Sequence, residues 1–89
     1  YKLSENKGVI KMKHIFVTFD QAEQIFSFVK IMSKCDFDAD VKLGSRIVDA
    51  KSIVGVLSLA KSRTVEVIFH TDNCDNIIDQ IAAIVPIAA

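Results

Sequence analysis

The residues best suited to chemistry gather around one serine in the segment 51–59, which reads K-S-I-V-G-V-L-S-L. Ser52 stands immediately before a short apolar run, where its hydroxyl can accept hydrogen bonds from the free N–H groups of a first helical turn. A phosphate on that hydroxyl would lie at the positive end of the helix and would be stabilised there. The segment therefore predicts a helix beginning after Ser52 that phosphorylation could regulate.

The helix predicted after Ser52 carries more apolar surface than a small domain needs to bury. On a helical wheel, one sector holds Ile53, Val54 and Leu57. The adjoining sector holds Val56, Leu59 and Ala60. Together the two sectors span about 220°, whereas a surface helix needs roughly 100° against its own core. We predict the first sector to be an exposed surface that binds a protein partner; the competing interpretation is that the domain buries it as core.

The other reactive side chains show no pattern of a catalytic or metal site. Cys35 and Cys74 are single and far apart, which is neither a disulfide framework nor a zinc motif, and they predict reduced thiols in a cytoplasmic protein. His14 and His70 stand at the ends of predicted strands. The sequence has no Gly-rich phosphate loop, calcium loop or nucleophile elbow, so we expect no metal and no cofactor.

Length and charge restrict the class of protein. The 89 residues, 51% hydrophobic and 25% charged, fit one small globular domain. Eleven basic and eleven acidic side chains cancel, which argues against a nucleic-acid or membrane-surface partner. No apolar run approaches the ~20 residues of a membrane span, and no secretory signal is visible. Residues 1–11 are predicted to be an N-terminal extension or cloning remnant, and residues 12–89 a single domain.

Hydrophobic periodicity predicts the element order β-α-β-β-α-β-α. The predicted strands cover residues 14–19, 39–43, 46–49 and 64–70. Gly44-Ser45 is suited to a two-residue type II′ turn between the second and third strands. The most economical fold is α+β, a four-stranded antiparallel sheet with three helices on one face.

Capping residues and apolar spacing locate the first and last helices. Asp20 is the predicted N-cap of the first helix, and Asp72 or Asn73 that of the last. The apolar face of the first helix is predicted to comprise Ala22, Ile25, Phe26, Phe28, Val29 and Met32.

The segment 51–59 resembles the regulatory-serine motif K-S-I-M-G-V-M-S-L of HPr, the small phosphocarrier of the bacterial sugar phosphotransferase system. Val54 and Leu57 replace its two methionines, residues 41–49 resemble its hairpin, and the resemblance covers about residues 15–85. It implies an open-faced β-sandwich with the element order given above. It also implies a serine kinase acting on Ser52 and a protein partner at Ile53, Val54 and Leu57, either a transcription regulator or a phosphotransferase-system protein.

The family's phosphoryl-accepting histidine has no counterpart here. HPr carries its phosphoryl group on the His of G-[IL]-H-A-R-P-A, and the matching positions are approximately Gln21 for the His, Glu23 for the Arg and Gln24 for the Pro. A carboxamide cannot form the phosphoramidate that imidazole forms. Asp20 and Glu23 would repel a phosphoryl group where the family supplies a cation. The resemblance thus implies a non-catalytic regulatory or binding protein, similar in lacking the histidine to the catabolite-repression HPr homologue.

Two alternatives stay open from the sequence. One is an active phosphocarrier that uses a displaced histidine, His14 or His70. The other is an unrelated ferredoxin-like binding module, since many binders share the order β-α-β-β-α-β. Against the second, the chain has no C-x-x-C motif and no aromatic RNA-binding strand motif.

Overall fold

The computed structural model of the chain describes residues 11–88. The predicted extension at residues 1–11 therefore lies, except for Lys11, outside the described residues. The predicted order of seven elements is confirmed, and one further strand follows. The elements are β1 Lys13–Thr18, α1 Ala22–Ser33, β2 Ala39–Leu43, β3 Arg46–Asp49, α2 Ile53–Ala60, β4 Thr64–Phe69, α3 Asp75–Ala82 and β5 Ile87–Ala88.

The strands form one sheet in the order β3-β2-β4-β1-β5, and each neighbouring pair is antiparallel. The predicted four-stranded sheet is thus corrected to five strands. Pro86 cannot continue the preceding helix, and the residues after it extend along the otherwise unpaired edge of β1. Only two residues pair there, Ile87 with Val17 and Ala88 with Phe16, which is too short a run to show a period.

The β2–β3 hairpin has the predicted two-residue turn. Leu43 pairs with Arg46 across Gly44-Ser45, and Gly44 has a φ of 62°. Within residues 11–88 the only other residue with positive φ is Ser62, so Ser45 has a negative φ. Positive φ at the first central position alone is the signature of a type II′ turn, and glycine adopts it without steric cost.

The core lies between the sheet and the helices, all of which cover one sheet face. Alternate strand residues point into this core, including Ile15, Val17, Val41, Val65, Val67 and Phe69. The helix α1 packs against both α2 and α3. The rings of Phe19 and Phe28 meet edge to face with centroids 5.3 Å apart. The opposite sheet face is uncovered in the described part of the chain, where Phe16 and Ile47 are exposed.

The prediction that Phe26 belongs to the buried face of α1 is wrong, because half of its surface is exposed. The core side of the helix is filled by Ile25, Phe28, Val29 and Met32. Phe26 lies about 100° around the helix from Ile25, at the margin of the apolar sector.

The N-caps predicted for α1 and α3 are also wrong. Gln21, and not Asp20, caps α1 with an extended backbone. Cys74, and not Asp72 or Asn73, stands at the N-cap of α3. The side chain of Cys74 is 2% exposed and makes no capping hydrogen bond. Burial of an apolar side chain, and not helix capping, therefore explains a cysteine at this position.

Candidate functional site

Ser52 is an exposed N-cap of α2, as predicted. Its backbone is extended, with φ −100° and ψ 107°, and its Oγ accepts a hydrogen bond from the N–H of Gly55 at 3.3 Å. The Ser52 carbonyl accepts the first intrahelical bond, from the N–H of Val56 at 2.9 Å. The hydroxyl is therefore both accessible and aligned with the positive end of the helix.

Lys51 joins the start of α2 to the end of α1. Its Nζ donates to the carbonyl of Cys35 at 2.9 Å, and its backbone N–H donates to Oδ1 of Asp49 at 2.9 Å. The lysine charge thus lies at the negative end of α1, which it stabilises. Burial raises the pKa of the Cys35 thiol, although nearby Lys51 acts in the opposite direction.

Gly55 allows α2 to approach β3 closely. A Cβ placed on Gly55 would lie 3.1 Å from the Cβ of Val48 and 3.4 Å from Oγ of Ser52. The glycine of the serine motif therefore has a packing reason, and it lies next to the cap that its own N–H completes.

The two apolar sectors of α2 separate in the structure. Val56, Leu59 and Ala60 are buried. In the other sector Val54 is 75% exposed and Ile53 is 37% exposed. Leu57 is partly buried and packs against the core. The excess apolar surface thus faces solvent at Ile53 and Val54, next to Ser52, while Leu57 contributes only its outer part.

The N-terminus of α1 has an amide and two carboxylates where the resemblance places the phosphoryl acceptor and its cation. Asp20, Gln21 and Glu23 are exposed. Oε1 of Gln24 accepts the N–H of Asp20 at 2.7 Å and that of Gln21 at 3.2 Å. The Nε2 of Gln24 donates to the carbonyl of Ile84 at 3.2 Å. This role of Gln24 was not predicted from the sequence, where the three-residue spacing from Gln21 to Gln24 was the available signal.

A basic turn lies beside the end of β1, just before α1. The N–H of Ser62 donates to the carbonyl of Phe19 at 2.7 Å, and the N–H of Phe19 donates to the carbonyl of Arg63 at 3.3 Å. Ser62 has a φ of 60°. Lys61 and Arg63 are exposed in this turn. Their proximity to α1 is a tertiary effect that no sequence spacing indicates.

Both histidines are hydrogen-bonded to carboxylates on the open sheet face. Nδ1 of His14 lies 2.5 Å from Oε2 of Glu66, and Nε2 of His70 lies 2.8 Å from Oδ2 of Asp40. The antiparallel register of the strands brings these partners together. Because they are far apart along the chain, the sequence alone does not indicate the contact.

The two histidines also lie at the end of the sheet that is far from the start of α1. The end of β1 at Thr18 leads into α1, whereas His14 lies four residues earlier, about 13 Å along the strand. His70 follows Phe69, which pairs with Lys13 at that same far end. Neither imidazole stands at the start of a helix.

Within residues 11–88 no group of three or more His, Cys, Asp or Glu side chains is arranged to hold a metal ion. In the same range no helix is both long and apolar enough to cross a membrane.

The sequence model of the family described as "PTS HPr component phosphorylation site" matches residues 21–86, which is most of the chain. This chain belongs to the HPr family. The matched region begins at Gln21, the position where the resemblance places the phosphoryl acceptor. No curated protein matches the chain in sequence.

Solved HPr structures share the fold of this HPr-family chain. A phosphocarrier protein HPr from Bacillus anthracis strain Ames is 22% identical, with a TM-score of 0.67, over 84% of this chain and 98% of its own. HPr-C-His from Thermoanaerobacter tengcongensis is 24% identical, with a TM-score of 0.63, over 82% of this chain and 88% of its own. At these identities the likeness establishes the fold, and the ferredoxin-like alternative is therefore wrong.

Proposed function

We propose that this HPr-family chain does not carry a phosphoryl group on histidine and acts as a regulatory binding protein of the phosphotransferase system. The observation that carries the proposal is Gln21 at the start of α1, in a chain whose only histidines are His14 and His70. An imidazole at a helix N-terminus combines a nucleophile with donors for the anion. Gln21 supplies no nucleophile for that reaction.

The displaced histidines are poorly suited to replace it. Each imidazole is bonded to a carboxylate, Glu66 for His14 and Asp40 for His70. A phosphoryl group entering there would meet negative charge at close range, which disfavours its transfer.

The surface around Ser52 is the proposed binding site, comprising Ile53, Val54 and the outer part of Leu57. Exposed apolar side chains beside an accessible hydroxyl fit a protein partner, either a transcription regulator or another protein of the system. Phosphorylation of Ser52 by a serine kinase would add ≈ −1.5 to −2 charges at the edge of that surface. The helix already begins at Ser52, so the phosphate would act on the interface and require little refolding. A cytoplasmic location belongs to the same proposal.

A phosphotransfer assay tests the missing carrier chemistry. The purified chain is incubated with phosphoenolpyruvate and the general phosphotransferase enzyme, beside an active HPr as positive control. The expected result is no acid-labile phosphate on this chain, because a phosphoramidate is the only adduct that route forms. Acid-labile phosphate that disappears in His14→Ala or His70→Ala would instead establish the displaced-histidine carrier.

A kinase assay tests the regulatory half. Incubation with ATP and the serine kinase of the system, followed by intact-mass measurement, is expected to add one acid-stable phosphate to the wild type. Ser52→Ala should remain unmodified, whereas Ser58→Ala, on the same helix, should be modified normally. No modification of the wild type would remove the kinase from the proposal and leave a binding module.

A further inference from the structure

A regular chemical pattern crosses the open sheet face, the side of the sheet that no helix covers in the described part of the chain. Strand register places Ile47 of β3, Lys42 of β2, Glu66 of β4 and Phe16 of β1 side by side in one row. Glu66 and Phe16 each stand between two buried residues, so both point away from the core, and cross-strand pairing puts the other two on the same face. The order across the face is therefore apolar, cation, anion, apolar.

The side chains of this row are accessible to a partner. Phe16 is 43% exposed and Ile47 is 56% exposed, while Lys42 and Glu66 are partly buried. Glu66 is already bonded to His14. Lys42, in contrast, forms no ion pair with any other residue of the range 11–88. The row thus presents a cation that no described carboxylate neutralises, between two exposed apolar side chains.

The row is complementary to itself under a two-fold axis. An axis parallel to the strands and midway between β2 and β4 places a second copy face to face with the first, and it exchanges β2 with β4 and β3 with β1. Lys42 of each copy then lies opposite Glu66 of the other, and Ile47 of each lies opposite Phe16 of the other. Cation therefore meets anion and apolar meets apolar along the whole row, which is the arrangement that favours one specific orientation.

The neighbouring row is compatible with the same axis. It consists of Asp49, Asp40, Ile68 and His14. The axis places Asp49 of one copy opposite His14 of the other. Ile68 lies opposite Asp40, whose carboxylate is bonded to His70 within its own chain. No two like charges are directly opposed, so this row does not resist the contact that the first row favours.

We propose that the open sheet face is a homodimer interface, on which a second copy of this chain packs as the second sheet of a β-sandwich. The strands β1 and β4 have six residues each, and four strands lie ~4.8 Å apart, so each copy offers about 20 Å by 20 Å. The contact buries roughly 800 Å² in total, the size of a weak and reversible complex. The helices lie on the other side of each sheet, so the Ser52 surfaces of both copies remain accessible. The inference goes beyond the proposed function and does not depend on it.

Sedimentation equilibrium of the full chain, from micromolar to millimolar concentration, tests the dimer. The wild type is expected to show a reversible monomer–dimer equilibrium. Lys42→Glu should raise the dissociation constant about tenfold or more, because glutamates would then face each other across the axis. Glu66→Lys should do the same with opposed lysines. Lys30→Glu, the same charge reversal at an exposed position of α1, should dimerise like the wild type.

A mixture of the two charge variants gives the sharpest readout. The Lys42→Glu chain presents two carboxylates and the Glu66→Lys chain presents two ammonium groups, so each alone should be monomeric while the mixture forms heterodimers. The double variant Lys42→Glu/Glu66→Lys exchanges the two charges and should also dimerise. Recovery in the mixture requires both chains to be folded, so it separates a lost contact from misfolding.

The apolar ends of the row have a matched control on the helical side. Phe16→Ala should weaken dimerisation about tenfold, because it removes the side chain that meets Ile47 of the second copy. Phe26→Ala removes a phenylalanine of similar exposure, 50%, from α1 and should leave the dissociation constant unchanged.

Four results would overturn the inference. They are a wild type that stays monomeric at millimolar concentration, a dimer that Lys42→Glu and Phe16→Ala leave unchanged, a mixture of the two charge variants that stays monomeric, and a dimer that is lost in Val54→Ala, which would place the contact on the Ser52 surface. The measurement uses neither phosphoenolpyruvate nor a kinase. Its failure therefore leaves the phosphotransfer and kinase tests intact, and their failure would leave the dimer standing.

Discussion

Ser52 stabilises the fold whether or not a kinase reaches it. Its Oγ accepts the N–H of Gly55, one of the donors that a helix start leaves without a partner. A phosphate on the same oxygen would keep negative charge at the positive helix end. The regulatory and structural roles of this residue are therefore compatible.

Replacement of Ser52 by alanine should destabilise the protein by about 1 kcal/mol, because the Gly55 N–H loses its partner. Ser52→Asp should recover most of that loss, since aspartate also caps helices and its charge suits the helix end. Ser58→Ala, at an exposed position within the same helix, should change stability by less than about 0.5 kcal/mol. Urea unfolding measures all three, and equal midpoints for Ser52→Ala and the wild type would contradict the cap.

At the scale of the element, α2 buries one apolar sector and exposes the other. Val54 and Val56 are the same residue type two positions apart, and their exposed fractions are 75% and 0%. The helix thus offers a matched pair of substitutions that separates packing from surface contact.

Val56→Ala should cost about 2 kcal/mol, because it removes two buried methyl groups from the core. Val54→Ala should change stability by less than about 0.5 kcal/mol and should weaken binding of the partner of the Ser52 surface. Thermal unfolding and partner titration give the two readouts. A large stability loss in Val54→Ala would place that side chain in the core and remove it from the proposed binding surface.

The close contact between α2 and β3 makes a second prediction at this scale. Gly55→Ala should gain helix propensity of about 1 kcal/mol, yet its Cβ would press on Val48 at 3.1 Å. The contacted atom is the Val48 Cβ, which no rotamer change can move, so we expect crowding to prevail with a net loss of about 1 kcal/mol. Denaturant unfolding of Gly55→Ala and the wild type measures the change. A stabilised Gly55→Ala would show that β3, at the sheet edge, shifts to accommodate the methyl group.

At the scale of the whole molecule, the proposed sites are spatially separated. Lys51 links the start of α2 to the end of α1, so Ser52 lies near the C-terminal end of α1 while Gln21 lies at its N-terminal end. Twelve residues of helix separate these ends by about 18 Å. A phosphate on Ser52 would therefore act on partners of the helical layer and not directly on the start of α1.

The buried thiol of Cys74 is expected to make the protein less stable as the pH rises into the alkaline range. Burial raises the pKa of the Cys74 thiol, and Asp75 acts in the same direction against nearby Lys13. The unfolded state then loses the thiol proton first, so this contribution to stability is present below about pH 8.5 and is lost as pH rises through the higher folded-state pKa.

The free energy of unfolding should therefore fall with rising pH above about 8.5, and the slope should be smaller in Cys74→Ala. Chemical denaturation at a series of pH values measures both slopes. Cys74→Ala lowers stability at every pH by leaving a small cavity, so the slope and not the absolute value is decisive. An unchanged slope would mean that this thiol titrates alike in both states.

Most of the fold could be predicted from the chain because its elements are short and strongly periodic. The strands 39–43 and 46–49, their Gly44-first turn and the order of the first seven elements agree with the structure. The errors lie where local pattern is weak: the caps of α1 and α3, the exposure of Phe26, and the two-residue strand after Pro86. At each of these places a contact with another part of the fold determines the local structure. The residue pattern of one helix or strand carries no information about that contact.

The amino-acid sequence was enough to indicate a serine at a helix start, an excess of apolar surface behind it, and a glutamine near the start of the first helix. Such properties depend on residue type and helical spacing alone. Three features emerged only once the fold was known: Ile53 and Val54 face solvent while Leu57 packs inward, the Gln24 carboxamide bonds the Ile84 carbonyl, and both histidines bond carboxylates at the far end of the sheet. These arrangements depend on strand register and helix packing, which join residues distant along the chain.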